Sequence, residues 1–224
     1  MRKLMLILVV LALSCSAYGQ QVGASWTQKY TLWGFELYDE DYVHPGAVVE
    51  LEGVELSAVA HVKDNDDWEK WDTKAGIKLP VGGLYVAPGY GYYILPGDTD
   101  VQEASLTVGV DGRISPRYTL GYIIPESGDE GQVHNIGLDV DIGELSKGIA
   151  AVFSADATYN DGVNPMGGAE ISDWTHATAR LELQVPVADF TVRPAVIYQH
   201  SFEPELLGVE EDEVWAAVSI VRKF

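Results

Sequence analysis

Polar and apolar side chains alternate along most of this chain with a period of two. In residues 213–224, Val214, Ala216, Val218 and Ile220 share one face, while Trp215, Ala217, Ser219, Val221 and Lys223 share the other. Leu56, Ala58, Ala60 and Val62 alternate with Glu55, Ser57 and His61. Ile136, Leu138 and Val140 alternate with Asn135, Asp139 and Asp141, and Ala177, Ala179, Leu181, Leu183 and Val185 with Thr178, Arg180, Glu182 and Gln184. This alternation is the mark of strands with two unlike faces. About twelve such runs are predicted, over 22–36, 46–52, 54–62, 71–79, 84–95, 101–110, 118–124, 133–142, 149–159, 174–187, 190–199 and the last stretch. No segment of useful length has a helical period.

The connections alternate in kind. Those at 52–53, 80–83, 111–116, 143–147 and 187–189 are short. Those at 39–44, 63–72, 96–100, 125–131, 160–173 and 202–213 are longer and acidic. Long loops on one side and short turns on the other predict an all-β fold, a transmembrane up-and-down antiparallel β-barrel of about 12 strands. A soluble sandwich alternates as well, with its apolar face inward, so parity alone leaves that fold open.

Charge favours the barrel. The chain of 224 residues has a formal charge of −20 with 34 acidic residues. The six long loops hold 22 of those acids and two lysines, Lys63 and Lys70, so their net charge is 2 − 22 = −20. The whole excess therefore falls on one predicted rim. An acidic rim attracts cations over about a Debye length and excludes nucleic acid as a partner.

The amino terminus supplies a route to the membrane. Arg2 and Lys3 precede an apolar run from Leu4 to Leu13, and Ala17 and Gly19 are small residues at the positions a signal peptidase reads. Residues 1–19 are predicted to be a secretory signal peptide and 20–224 an outer-membrane barrel. Cys15, the one cysteine, leaves with the signal, so no disulfide or thiolate chemistry is expected.

With lipid outside, the polar parity lines the interior. The pore-lining candidates are Lys29, Glu55, Lys74, Lys78, Glu103, Arg117, Asp139, Asp156, Arg180, Glu182 and Arg193. Asp64, Asp66, Asp67, Glu210, Glu211, Asp212 and Glu213 form an acidic mouth. Aromatics such as Trp26, Tyr90, Tyr122, Tyr159, Trp174 and Tyr198 gather toward strand ends, as interfacial girdles do.

No enzyme is expected. His44, His61, His134, His176 and His200 lie in no motif that marks a nucleophile, and His44 reads as an outer-rim residue beside Asp39, Glu40 and Asp41. The oxygen-rich residues 64–69 lack the glycine and distal glutamate of an EF-hand, so no defined metal site and no cofactor are expected. The acidic loops instead suit contact with outer-membrane lipid and lipopolysaccharide through divalent ions.

Two resemblances add to this reading. A last strand ending in Phe224 resembles the terminal strand of bacterial outer-membrane barrels, which implies an assembly signal for the barrel-assembly machinery; Arg222 departs from that pattern. Residues 29–38 and 45–51 resemble the start of TorF-type porins, in which an early Tyr-x-x-Arg-Gly strand leads through an acidic turn to a second strand. Tyr30 and Gly34 match, and Trp33 stands in place of the arginine. The resemblance implies an outer-membrane barrel and a pore. The expected function is passive diffusion of small solutes with a weak cation preference. The other reading is a non-conducting structural or adhesive barrel acting through its acidic outer loops.

Overall fold

The structure, a computed structural model, describes residues 20–28, 30–32, 35–38, 42–51, 54–63, 68–95, 99–126, 130–163, 171–207 and 209–223. The predicted signal peptide, Lys29, Asp64, Asp66, Asp67 and Phe224 lie outside them.

The strands are β1 (Gln20–Thr27), β2 (Tyr30–Leu32), β3 (Phe35–Tyr38), β4 (Tyr42–Leu51), β5 (Val54–Lys63), β6 (Trp68–Ile77), β7 (Leu79–Val81), β8 (Leu84–Leu95), β9 (Thr99–Gly109), β10 (Ile114–Pro125), β11 (Gly131–Ser146), β12 (Ile149–Val163), β13 (Ile171–Val187), β14 (Phe190–Ser201) and β15 (Asp212–Lys223). One sheet runs β6-β5-β4-β1-β15-β14-β13-β12-β11-β10-β9-β8-β7, and a β6–β8 pairing closes it. Counting β6 and β7 as one stave broken at Lys78, this is a closed antiparallel barrel of twelve staves, as expected. Closure leaves no bare sheet edge, which is the condition for strands in lipid. Its seam joins the first stave to the last, with Gly23 opposite Val221 and Thr27 opposite Ala217.

Three expectations are corrected. The first run was expected to continue from 22 to 36, but β1 ends at Thr27 and a small β2–β3 hairpin occupies the connection to β4. The ladder past Thr27 is completed by a side chain, because the Ala216 N–H donates to Gln28 Oε1 at 3.1 Å. Residues 143–147 were expected to turn; instead β11 runs to Ser146 with bulges near Gly143 and Ser146. The turn is Lys147-Gly148, where φ of 45° and 81° suits a tight hairpin. The acidic loops are shorter than expected. Asp161, Asp173, Asp212 and Glu213 are strand residues. A four-residue helix, Pro204–Leu207, interrupts the last loop.

Register fixes the two faces. Leu56, Leu106, Ile136, Leu181, Val196 and Val214 point outward and are exposed. The faces opposite carry the predicted polar set. Outward Tyr90, Tyr122, Tyr159, Trp174 and Tyr198 sit toward the long-loop ends of their strands, and Tyr159 and Trp174 touch edge-on at 5.7 Å. This is the placement of an interfacial girdle. Among the described residues no helix is long and apolar enough to cross a membrane.

Candidate functional site: an asymmetric lumen

The inward face changes character along the barrel axis. At the short-turn end the inward residues are wet. Glu50 and Glu55 stand directly opposite each other on β4 and β5 and are exposed, as is Lys74 on β6. These residues line a cavity of about 580 Å³, with Tyr93, Glu103, Ser105, Thr107 and Thr119 completing its polar wall. A deeper space of about 250 Å³ shares Lys74, Tyr93, Glu103 and Thr119 and reaches Asn135, Asp156, Thr158 and His176.

Several interior charges are paired. Arg117 bridges to Asp139, its neighbour two residues from the register partner Gly137. Arg180 meets Glu182 at 2.6 Å, and Arg193 approaches the same carboxylate at 3.9 Å. Tyr93 donates its hydroxyl proton to Glu103, and the Lys74 ammonium sits 5.4 Å from the Tyr93 ring centre. Asp156 accepts from Thr178 at 2.7 Å and Asn135 at 3.2 Å. Lys78 stands at the short-turn end, bonded to Asp111 at 2.6 Å and 4.0 Å over Tyr85. Pairing of this kind ties the charged side chains to their neighbours along the wall.

At the long-loop end many inward side chains are buried. Tyr93, Val101, Ile123, Val133 and Val163, on β8 to β12, form one buried apolar cluster. The rest of the same level is polar and equally buried: His44, His61 and Asp72 on β4 to β6, Thr175 and His176 on β13, Gln199 and Ser201 on β14, and Glu213 on β15. The lumen therefore has an exposed end at the short turns and a level of buried side chains nearer the long loops. Closing polar groups away from water requires hydrogen bonds in their place. His61 Nε2 lies 2.9 Å from Asp72 Oδ2, and His44 Nδ1 lies 2.7 Å from His61 Nδ1.

The described pore-lining candidates Glu55, Lys74, Glu103, Arg117, Asp139, Asp156, Arg180, Glu182 and Arg193 all take inward register positions. The acidic run 210–213 does not stay together. Glu210 and Glu211 are exposed at the rim, Asp212 faces outward, and Glu213 is buried in the lumen. The physical reason is that β15 begins at Asp212, so strand parity sends successive side chains to opposite faces. His44 is likewise not a rim residue: it is an inward, buried residue of β4. The buried level was not foreseen. Its one signal in the sequence was His61 on the polar parity of β5, while the apolar members of the layer broke that parity and gave no sign.

Outside the barrel, Tyr198, His200 and Asp212 meet at the rim. Tyr198 donates to Asp212 at 2.5 Å and His200 Nδ1 lies 3.0 Å from the same oxygen. His200, Glu211 and Asp212 are, among the described residues, a group whose ligand atoms lie within 4.8 Å of one another. His200 Nδ1 and Asp212 Oδ1 face each other within this group.

No family model and no curated protein matches this chain. Solved structures do. The KdgM porin in complex with disordered oligogalacturonate is similar at a TM-score of 0.61 and 9% identity, over 91% of this chain and 99% of that one. The translocator domain of autotransporter NalP from Neisseria meningitidis follows at 0.53 and 15% identity, over 100% of this chain and 95% of that one. The COG4313 outer membrane channel from Pseudomonas putida F1 is similar at 0.50 and 7% identity, over 92% and 94%. At these identities the likeness is one of fold: this chain has the fold of outer-membrane barrels. An apolar outer wall around a closed ladder belongs in a lipid bilayer, and the bilayer of this fold is the bacterial outer membrane.

Proposed function

We propose that this barrel is a porin-like channel for small polar solutes. The observation that carries the reading is the wet, charge-lined cavity of about 580 Å³ at one end of the lumen. A structural barrel gains nothing from leaving Glu50, Glu55 and Lys74 exposed inside, whereas a solute path needs such groups in water. A weak cation preference goes with this reading. Glu50, Glu55 and Glu103 outnumber Lys74 among the charged groups nearest the cavity, and Lys78 is held by Asp111. The reading supposes export by the predicted signal and assembly by the barrel-assembly machinery. It also supposes contact of the rim with lipopolysaccharide, bridged by divalent ions. The resemblance of residues 29–38 to TorF-type porins agrees with it.

The level of buried side chains favours a second reading, a non-conducting structural or adhesive barrel whose loops do the work. Conductance of the refolded protein in a planar bilayer separates the two. Discrete channel currents support the porin; an intact barrel that never conducts, at any voltage or pH, supports the second.

A further inference from the structure

We infer that the deeper space of the lumen is a binding site for small zwitterions with a primary ammonium, such as amino acids; this rests on the porin reading and names its solute. Lys74 on β6 and His176 on β13 both line that space of about 250 Å³. The two strands stand opposite each other in the ring of staves, so the space crosses the lumen. Its two walls carry charges that no described residue neutralises. The Lys74 ammonium is exposed and has no ion pair among the described residues; it lies 5.4 Å from the Tyr93 ring centre. Asp156, beside His176, has no cation partner among the described residues either. Arg117, Arg180 and Arg193, by contrast, all lie against carboxylates.

Hydrogen counting sets the character of the His176 wall. Thr175 has one hydroxyl proton, and it goes to the Thr158 carbonyl at 3.1 Å. Thr175 Oγ1 therefore accepts from His176 Nδ1–H, at 3.2 Å. In the neutral ring this leaves Nε2 as a lone-pair acceptor, and it makes no hydrogen bond among the described residues. His176 is buried to 6% exposure and still lines the space. An unmet acceptor so deep in the protein is costly unless something donates to it. Asp156 stands diagonally across the β12–β13 ladder from it. Asp156 Oδ1 takes one bond from Asn135 at 3.2 Å and Oδ2 one from Thr178 at 2.7 Å, so each oxygen keeps a lone pair. Asn135 gives its other N–H to Thr158 at 3.0 Å. With these donors spent, the wall offers acceptors and a negative charge.

A primary ammonium answers that wall. It carries a positive charge for Asp156 and N–H donors for His176 Nε2 in one compact group. A trimethylammonium brings the charge without a donor, and a water brings donors without the charge. The opposite wall asks for the opposite group, because the Lys74 ammonium has donors for a carboxylate. Glu103 lines the same space and accepts the Tyr93 hydroxyl proton. Together Glu103 and Asp156 outweigh Lys74, so a carboxylate arriving without its own ammonium is disfavoured. A molecule with an ammonium at one end and a carboxylate at the other meets both walls at once. Glu50 and Glu55, opposite each other at the short-turn end, attract the ammonium on the way in.

Single-channel recording of the refolded full barrel tests the site, with γ-aminobutyrate and its trimethylammonium analogue γ-butyrobetaine as probes. γ-Aminobutyrate lowers the open-channel current with saturation. γ-Butyrobetaine needs about tenfold higher concentration, the loss expected when a charged hydrogen bond goes unmade. His176→Phe and Lys74→Gln each raise the half-blocking concentration of γ-aminobutyrate about tenfold, and His176→Phe narrows the gap between the probes. Each variant is scored against its own current without solute. Lys74 is exposed, so its variant decides even where His176→Phe does not fold. Equal block by the two probes, no block of a conducting wild type, or block untouched by Lys74→Gln overturns the site. A wild type that never conducts fails the porin reading instead. The site is then read in micelles, from saturation-transfer NMR on the two probes. Transfer to γ-aminobutyrate that exceeds transfer to γ-butyrobetaine and is lost in Lys74→Gln supports the site. Transfer that is absent, equal for both probes or kept in Lys74→Gln overturns it.

Discussion

The Arg117 guanidinium lies flat over Gly137, its register partner on the next strand, so that a Cβ on residue 137 would come within 2.6 Å of Arg117 Cζ. Tyr85 uses Gly109 in the same way, with its ring atoms 2.6 Å from where a Cβ would stand. Inward glycines thus serve as seats for the large side chains of the neighbouring strand. Seated, a long side chain covers wall; unseated, it points across the lumen.

Gly137→Val should therefore lift Arg117 off the wall and strain its bridge to Asp139. The expected cost is about 1–3 kcal/mol of stability, the usual range for overpacking. Single-channel conductance should fall while the fold persists. Denaturant melts and bilayer recordings measure the two effects; an unchanged conductance would show that Arg117 does not border the path.

The seam supplies a second prediction. From Ala217 to Arg222, β15 has a strand on both sides, β1 and β14. Ile220→Pro removes an N–H from this doubly paired strand, and an unsatisfied group in lipid costs several kcal/mol. The variant should fail to give the compact, heat-modifiable band of a closed barrel on gels. Val81→Pro, on the short β7, should be far milder.

Topology is tested by labelling. Cysteine at Glu210 should react with an impermeant thiol reagent on whole cells, because the long-loop rim faces out. Cysteines at Gly82 and Gly112 lie in short turns and should not react. The opposite pattern would invert the barrel.

On the porin reading, selectivity is expected to be set further inward than charge alone suggests. Since the acidic run 210–213 is divided between rim, outer face and lumen, its joint neutralisation should have little effect on ion preference. Glu50→Gln with Glu55→Gln should reduce cation preference more, as both line the cavity. Reversal potentials in a salt gradient decide, and the contrast should be largest at low salt, where the Debye length is about 30 Å at 0.01 M. A larger loss from neutralising Glu210 and Glu211 would return selectivity to the mouth.

The sequence by itself determined the barrel. Alternation such as Leu181 against Arg180 and Glu182 is local, because strand geometry sends neighbours to opposite faces whatever lies beyond. It also determined the inward parity of polar residues such as Asp156, Arg180 and Glu182, and the alternate placing of short turns and long acidic loops. The tertiary structure alone decided how far each strand climbs into its loop, since that depends on partners: Asp212 is in the wall because His200 pairs with it. It alone decided that the inward side chains at one end are buried. His44, Asp72, Tyr93 and Val163 are distant in sequence, and their meeting in one buried layer follows from closure of the sheet. Parity says that a side chain points inward; only the curvature of the closed wall says what it meets there.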